Sequence, residues 1–288
     1  MKASVIGLGA MGGAMAERLL GEGMSVTVYD IRQASVERLM ALGAKAATLE
    51  EIGDCDVLLT SLPSDDEVLK VLATARVLES LSGKVLIELS TILPSTMRRL
   101  AEIGAEHGVD VVDCPVSGGP REVLAGTLTL LVGAEPQAFE RARPVLDALG
   151  TTHHVGVPGH GKAIKLINNT MTMGNMLLAA EAFTLGTKMG LDPQRMFDVL
   201  NQSGGRSHHF SKRMPNVLKG DFFPYFRLAM GEKDLRLALE LAHEEGYVMP
   251  VASLAHQMYQ VGINEGFGEL DMAAVIKIYE GWAGIGKE

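Results

Sequence analysis

A glycine-rich turn near the start of the chain has the residue types needed to hold a pyrophosphate. The β-rich run Lys2–Ile6 continues directly into Gly7-Leu8-Gly9-Ala10-Met11-Gly12. In a nucleotide-binding βαβ unit the first glycine permits a tight turn, the second lets the pyrophosphate approach the backbone, and the third allows close packing of helix and strand. Free amides at the start of the helix bind the phosphates. The pattern therefore predicts a dinucleotide site rather than a purely structural turn.

An acidic residue at the end of the next β-rich run points to the ribose of the same dinucleotide. Ser25–Tyr29 is followed by Asp30, about where a ribose-binding acid is expected after the glycine motif. A carboxylate there accepts hydrogen bonds from ribose hydroxyls and repels a 2′-phosphate, which favours NAD over NADP. Arg32 can pair with such a phosphate, so NADP stays open as a cofactor.

A polar pair in an otherwise apolar stretch forms a second candidate site. Lys165 and Asn169 follow Gly159-His-Gly161 and are four residues apart, so in a helix they lie on one face. Burying such groups costs free energy unless they have hydrogen-bond partners or line a cleft that contains water. A cleft between two domains would provide that environment. The alternative is a surface lysine whose aliphatic stem covers apolar neighbours.

Loops after other β-rich runs supply polar groups where open α/β sheets bind ligands. Leu62-Pro63 and Ser90-Thr91 can line the ribose and nicotinamide side of a cofactor, although Ser-Thr ahead of a proline is also common in helix capping. Ser117-Gly118-Gly119 is a turn whose amides are not covered by side chains and can hold a carboxylate; alternatively, the glycines only make a loop. Arg121 can help to bind an anion or remain solvated.

The elements that hold these residues alternate between β-rich runs and helical stretches up to about residue 156. This alternation predicts a mostly parallel sheet with flanking helices. Ser64 with Glu67, Pro94 and Pro136 mark helix starts. Strands are predicted at Lys2–Ile6, Ser25–Tyr29, Asp56–Leu62, Lys84–Leu89, Val109–Asp113, Leu128–Val132 and Thr151–Val155.

After Gly161 the β-rich runs stop and apolar positions three and four apart predict helices. A long helix over Lys162–Met189 joins two domains, and Asp192-Pro193 starts the next helix. Further helices are predicted near residues 207–219, 231–246, 250–265 and 271–280. The fold class is α/β, with a Rossmann-type dinucleotide-binding domain at residues 1–161 and an all-helical substrate and oligomerisation domain at residues 162–288.

Composition excludes several classes of function. The 288 residues are 47% hydrophobic, which is typical of a globular protein with sizeable cores, and the net charge of −9 without a basic block argues against nucleic-acid and anionic-membrane partners. We find no apolar run of membrane-spanning length and no leader, so we expect a cytoplasmic protein. Cys55 and Cys114 lack disulfide or metal-ligand spacing, so we expect packing roles and no metal.

In this order and spacing, four segments resemble the β-hydroxyacid dehydrogenase family, which includes 3-hydroxyisobutyrate and tartronate semialdehyde dehydrogenases. The resemblance covers essentially the whole chain. The segments are the cofactor motif Gly7–Gly12, the substrate-binding segment Asp113–Gly126, the GxGxxxKxxNN segment Gly159–Asn169 and Lys233-Asp234-Leu235 near the cofactor.

The resemblance implies roles for individual residues. Lys165 is the catalytic lysine and Asn169 orients it or the substrate, while Thr91 and Lys233 flank the nicotinamide. Ser117, Gly118 and Gly119 hold the substrate carboxylate. Oxidation of a hydroxyl needs a base for the proton while hydride leaves the carbon, so the pKa of the lysine must be lowered. Burial is suggested by its apolar neighbours, Ile164, Leu166 and Ile167.

The implied activity is NAD(P)-dependent interconversion of a small 3-hydroxy acid, similar to 3-hydroxyisobutyrate, and its semialdehyde. Pro120–Leu124 departs from the smaller residues of many relatives, which leaves the substrate open, and Arg206 can pair with a second acidic group. One alternative is a tartronate, glyoxylate or succinic semialdehyde reductase that uses the same site. Another is a non-catalytic dinucleotide-binding module, which Lys165 argues against.

The helical domain also predicts self-association. The chain has 16 methionines, and many methionines and leucines fall in the predicted helical domain. A helical domain of this size with so many apolar side chains is expected to leave apolar faces for a partner copy. A homodimer or a homotetramer is therefore predicted.

Overall fold

The computed structural model describes residues 1–74 and 77–285. Contacts divide the chain into two compact units, Met1–Lys165 and Leu166–Glu288, called here the N-terminal unit and the C-terminal unit. The predicted boundary after Gly161 and this division both fall in the first turns of one long helix. Among the described residues, no helix is long and apolar enough to span a membrane.

The N-terminal unit is built on one mostly parallel sheet. Within the described residues its strands are β1 (Lys2–Ile6), β2 (Ser25–Tyr29), β3 (Lys45–Ala46), β4 (Val57–Thr60), β5 (Val85–Glu88), β6 (Asp110–Asp113), β7 (Val116–Ser117), β8 (Leu128–Gly133) and β9 (Gly150–Gly156). All seven predicted strands are present, with ends that differ by at most a few residues. The two-residue strands β3 and β7 were not predicted, because each is too short to show an apolar pattern of its own.

The strand order β3-β2-β1-β4-β5-β6 places the reversal of the sheet between β1 and β4. These six strands are parallel, β8 runs antiparallel to β6 and β7, and β9 pairs in parallel with β8. An open parallel sheet binds ligands in the crevice at such a reversal, outside the carboxyl ends of the strands. The predicted Rossmann-type fold class is confirmed.

Helices cover both faces of the sheet. In the N-terminal unit they are α1 (Ala10–Gly21), α2 (Gln33–Met40), α3 (Asp65–Leu69), α4 (Val77–Ser80), α5 (Pro94–Glu106), α6 (Pro120–Ala125) and α7 (Pro136–Leu149), with a π-helical turn at Lys70–Thr74. Two separate clusters of buried apolar side chains form the core of this unit. Leu19 belongs to one cluster and Leu86 to the other. Ser64, Pro94 and Pro136 start helices as the sequence predicts, because each satisfies or replaces an unpaired first-turn amide.

Among the described residues of the C-terminal unit, helices and their connecting turns make up the structure, with one isolated bridge between Arg227 and Asp271. The long helix α8 (His160–Lys188) crosses from one unit to the other. It is followed by α9 (Pro193–Leu200), α10 (His208–Val217), α11 (Leu228–Glu244), α12 (Pro250–Asn264), a 3₁₀ turn (Met272–Val275) and α13 (Ile276–Ala283). The core of this unit includes Met173 and Phe183 of α8.

Candidate functional site

The glycine turn has the shape that a dinucleotide cradle requires. Gly7 adopts a positive φ of 88°, and a side chain on Gly7 would overlap the backbone carbonyl oxygen of Ser61. A side chain on Gly12 would overlap the carbonyl oxygen of Gly7, so helix and turn can pack closely only with glycine there. A Cβ on Gly9 would meet only the Arg32 guanidinium, 3.8 Å away. The space beside the N-terminus of α1 therefore fits a pyrophosphate.

Asp30 is hydrogen-bonded to this turn. Its Oδ2 accepts a hydrogen bond of 2.6 Å from the Leu8 amide and its Oδ1 accepts one of 2.7 Å from the Arg32 amide. Burial opposes ionisation, but these amides and the Arg32 guanidinium hold the pKa of Asp30 below its usual value. The Arg32 guanidinium lies 3.3 Å from the Asp30 carboxylate, so it is paired with the acid that it flanks in sequence.

The loops after β4 and β5 are joined by one hydrogen bond. The Leu62 amide donates to Ser90 Oγ at 2.8 Å, which ties Leu62-Pro63 to Ser90-Thr91. Ser90 is buried and its own amide donates to Glu88 Oε1 at 3.0 Å. Two of the predicted cofactor loops are thus brought together in the N-terminal unit.

The Ser117-Gly118-Gly119 segment differs from its prediction as an open amide nest. The Gly119 amide donates to Glu122 Oε2 at 2.9 Å, so a side chain does cover it. The reason is that Pro120–Ala125 forms the helix α6. Gly119 lies at its N-cap position, and the side chain of Glu122, the third residue of the helix, accepts the Gly119 amide. Gly118 has a φ of 131°, which favours glycine. Ser117 ends β7 beside this turn.

The start of α8 is capped by an acid from the neighbouring sheet. Gly159, with a φ of 98°, precedes the helix and has no side chain to cap it. Asp113 at the end of β6 takes that role: its Oδ2 accepts from the Gly159 amide at 2.9 Å and from the Lys162 amide at 3.1 Å. A Cβ on Gly161 would lie 2.9 Å from Asp113 Cγ and overlap the Leu131 carbonyl oxygen. This close approach requires glycine at position 161, and the positive φ favours glycine at position 159.

A second lysine, Lys162, lies wholly inside the N-terminal unit. Its Nζ is 2.7 Å from Glu88 Oε2 and 3.2 Å from Asp113 Oδ1, and it donates to the Glu88 carbonyl oxygen at 2.8 Å. All three side chains have 0% exposure. Burial alone would lower the pKa of Lys162, but the two carboxylates outweigh it and hold that pKa above its usual value. Lys162 is therefore cationic.

Lys165 lies one turn before Asn169 on the same face of α8, as the sequence predicts, and its side chain is half-buried. Of the three apolar neighbours expected to bury it, only Leu166 is buried. Ile164 and Ile167 are 37% and 55% exposed, because they lie on other faces of the helix. The burial of Lys165 that its apolar neighbours suggest is therefore partial.

Asn169 is fixed by a hydrogen-bond network within the C-terminal unit. Its Nδ2 donates to Asp234 Oδ2 at 2.6 Å, and its Oδ1 accepts from Asn168 Nδ2 at 3.0 Å. Lys233 Nζ lies 3.9 Å from Asp234 Oδ1. The Lys233-Asp234-Leu235 segment of α11 thus brings a buried acid to Asn169, a role that the sequence-based interpretation did not give to Asp234.

Arg206 is exposed, on the turn between α9 and α10. Its guanidinium donates to the Asn201 carbonyl oxygen at 3.4 Å. With Ser207, His208 and Ser211 it lines a cavity of about 380 Å³. An arginine among hydroxyl and imidazole groups can bind an anion there.

Lys162 and Glu88 were not predicted, although the sequence carries a signal for the acids. Glu88 directly follows Val85-Leu86-Ile87 and Asp113 directly follows Val111-Val112, and charged residues are almost never fully buried without partners. Two such acids at neighbouring strand ends call for a cation, and Lys162 occurs in the same glycine segment as Lys165. Cys55 and Cys114 are free and buried, as predicted for packing residues.

Comparison with known proteins agrees with this geometry. Residues 2–159 match the NAD binding domain of 6-phosphogluconate dehydrogenase, and residues 159–279 match the family described as NAD-binding of NADP-dependent 3-hydroxyisobutyrate dehydrogenase. The chain is 39% identical to 2-(hydroxymethyl)glutarate dehydrogenase of Eubacterium barkeri, over 99% of this chain and 97% of that protein. It is 35% identical to L-threonate dehydrogenase of Cupriavidus necator, over 96% and 95% of the two chains.

A solved structure is similar over the same extent. The 3-hydroxyisobutyrate dehydrogenase of Mycobacterium tuberculosis, with L-serine, has a TM-score of 0.90 and 30% identity, covering 96% of this chain and 98% of that one. Fold and site define an NAD(P)-binding oxidoreductase that acts on CH–OH groups. The chain belongs to the β-hydroxyacid dehydrogenase family.

Proposed function

We propose that this enzyme oxidises the primary hydroxyl of a 3-hydroxy acid with a second carboxylate, with Lys165 as general acid and base. The main observation that supports this role of Lys165 is its position on α8. It is half-buried, follows the two glycines of the segment and precedes the buried Asn169 by one turn. The glycine turn, Asp30 and the loops at Leu62-Pro63 and Thr91 would hold NAD(P), whose oxidised nicotinamide ring would accept the hydride.

The residues of the chain account for the proton. In the amine form Lys165 accepts the proton of the substrate hydroxyl, and in the reverse direction its ammonium returns that proton to the aldehyde oxygen. Asn169 is held through one N–H and one lone pair, by Asp234 and Asn168. One N–H and one lone pair remain to orient the lysine or the substrate. Lys233 is assigned to the nicotinamide side of the site. Ser117 and the Gly118 amide are assigned to the substrate carboxylate, because the Gly119 amide already donates to Glu122.

We assign Arg206 to the binding of the second carboxylate of the substrate. The relative from Eubacterium barkeri is named for 2-(hydroxymethyl)glutarate, a 3-hydroxy acid that carries two carboxylates. The cavity beside Arg206 has the cationic and hydroxyl groups that such a carboxylate needs. We therefore rank 2-(hydroxymethyl)glutarate above 3-hydroxyisobutyrate, threonate and serine as substrate.

Kinetics with purified protein test both assignments. Reduction of NAD and NADP is followed by nicotinamide absorbance with 2-(hydroxymethyl)glutarate, 3-hydroxyisobutyrate, threonate, serine and 4-hydroxybutyrate. Lys165→Ala is expected to lower kcat by about 10²–10⁴-fold, the usual value of a positioned acid or base, with NADH affinity nearly unchanged. Lys219→Ala, at an exposed lysine, is the control. Unchanged turnover in Lys165→Ala would remove it from the mechanism.

Arg206→Ala tests the assignment of a diacid substrate independently of the type of reaction. We expect a raised KM for 2-(hydroxymethyl)glutarate and no change for 3-hydroxyisobutyrate, because only the diacid has a group for the guanidinium. Equal effects on both substrates would contradict the role of Arg206.

We further propose a cytoplasmic homodimer or homotetramer that associates through α8. Met171, Leu178 and Leu185 are each more than 60% exposed and recur every seven residues, which places them on one stripe of the helix. A second copy with the same stripe can cover it through a two-fold axis. The two free, buried cysteines fit a reducing compartment.

A further inference from the structure

We propose that Lys162 is a positioning residue for Lys165. Together with Glu88 and Asp113 it forms a buried ionic clamp that fixes the first turn of α8 to the ends of β5 and β6. This inference rests on the proposed function of Lys165 and adds residues that act through it. The clamp consists of these three side chains only, and all of them belong to the N-terminal unit.

The clamp holds the helix by both backbone and side chain. Asp113 accepts the Gly159 and Lys162 amides through Oδ2, while its Oδ1 lies 3.2 Å from the Lys162 ammonium. The start of α8 is therefore fixed in position and in rotation about its axis. Lys165 follows Lys162 by three residues, which is about 4.5 Å along the helix axis on nearly the same face. Any displacement of the clamped turn moves Lys165 with it.

The clamp also reaches the loops assigned to the cofactor. Glu88 contacts Lys162 through Oε2 and accepts the Ser90 amide through Oε1, and Ser90 Oγ accepts the Leu62 amide. A continuous path of hydrogen bonds and ion pairs thus runs from the Leu62 loop, through the Ser90 loop, to the helix that bears Lys165. The lysine and the loops on the nicotinamide side are held by the same set of buried groups.

The free-energy cost of burying these three charges indicates that the clamp positions α8 rather than stabilises the fold. Three ionisable side chains with no exposure must give up their hydration, and apolar residues of similar volume generally serve stability as well or better. Ion pairs and hydrogen bonds are directional, whereas apolar packing tolerates small shifts. Because a misplacement of about 1 Å at a reacting group can cost about 10²-fold in rate, directional anchoring is valuable next to a catalytic lysine.

The test compares Lys162→Met with Lys162→Met/Glu88→Gln. Methionine keeps the length of the side chain and removes its charge, which leaves two buried carboxylates without a cation. The double variant removes one of these carboxylate charges and is expected to regain stability in urea. We expect kcat with 2-(hydroxymethyl)glutarate and NAD to fall about 10–100-fold in both variants, with the affinity for NADH changed by less than about 3-fold. Recovery of kcat together with stability in the double variant would overturn the proposal.

Leu146→Ala is the matched control, since Leu146 is fully buried in α7 of the same unit and outside the clamp. It should lose stability and keep kcat within about 2-fold, as expected for a core cavity. Amide hydrogen exchange of residues 159–163 gives a readout that needs no substrate. Faster exchange in Lys162→Met than in Leu146→Ala supports the clamp, and unchanged exchange overturns it. Wild-type protein without any activity on the substrate panel would instead refute the proposed function, while exchange still decides the clamp.

Discussion

At the scale of single residues, Asp30 shows how one side chain sets both the shape and the charge of the cofactor cradle. It accepts the Leu8 amide of the glycine turn and holds Arg32 in an ion pair. Because its pKa is lowered by folding, its stabilising contribution is complete above the unfolded value of about 3.9 and is lost as pH falls through the lower folded value. Asp30 is therefore ionised throughout the neutral range, and we expect its charge to disfavour a 2′-phosphate.

Asp30→Asn is expected to weaken NAD binding about 10-fold or more and to narrow the preference for NAD over NADP. Hydrogen bonds to a charged group contribute about 1.5–3 kcal/mol, and without the carboxylate Arg32 becomes available to a phosphate. Titration of NADH and NADPH by fluorescence measures both affinities. Asp54→Asn, at an exposed acid paired with Lys2, serves as the control. An unchanged ratio of the two affinities in Asp30→Asn would refute Asp30 as the determinant.

The two lysines of the Gly159–Asn169 segment show what residue types can reveal without a structure. Position and resemblance single out Lys165, which the structure places on the expected face with Asn169. They do not single out Lys162, because its role depends on Glu88 and Asp113, which are brought to it only when β5 and β6 pair. Local patterns indicate the two acids at the strand ends, but the lysine that pairs with them is defined only by the folded sheet.

At the scale of elements, α8 depends on glycines where its first turn meets the sheet. Gly161 faces the Asp113 carboxyl group and the Leu131 carbonyl oxygen, with no room for a methyl group. Gly281, in α13 of the C-terminal unit, has open space around its Cβ position. The two glycines occupy helices for different reasons, and substitution by alanine distinguishes them.

Gly161→Ala is expected to destabilise the protein by about 1–3 kcal/mol, the usual cost of overpacking, whereas Gly281→Ala should be neutral or stabilise it by up to about 1 kcal/mol through helix propensity. Urea unfolding followed by circular dichroism measures both. Equal stability of the two variants would show that α8 can shift away from β6 without cost.

Elements differ in how well sequence patterns predict them. The strands of the central sheet and the helices begun by Pro94, Pro136 and Pro193 carry strong local patterns, and all were predicted. α2, α6 and the short strands β3 and β7 were not. The strands exist because a neighbouring strand offers backbone hydrogen bonds, and α6 fills a segment that two glycines and a proline suggest to be a loop. Their stability comes from tertiary context, which local propensity does not contain.

At the scale of the whole molecule, each unit has its own apolar core, and α8 contributes to the core of the C-terminal unit. In the C-terminal unit the buried face of α8 includes Met173, Met176 and Phe183, while Met171, Leu178 and Leu185 lie on its exposed side. Monomeric proteins rarely expose long apolar stripes, so this side of the helix is the expected interface between copies.

Leu178→Glu/Leu185→Glu is therefore expected to convert the proposed oligomer into a monomer of 30.8 kDa. Two carboxylates in the centre of a self-complementary apolar stripe would face two identical carboxylates across a two-fold axis, and neither pair could be buried without a cation. Light scattering after size-exclusion chromatography gives the mass directly. Leu42→Glu, at an exposed leucine of the N-terminal unit, should leave the mass of the oligomer unchanged. If the double variant retains the wild-type mass, the copies associate through another surface and the α8 stripe has some other partner.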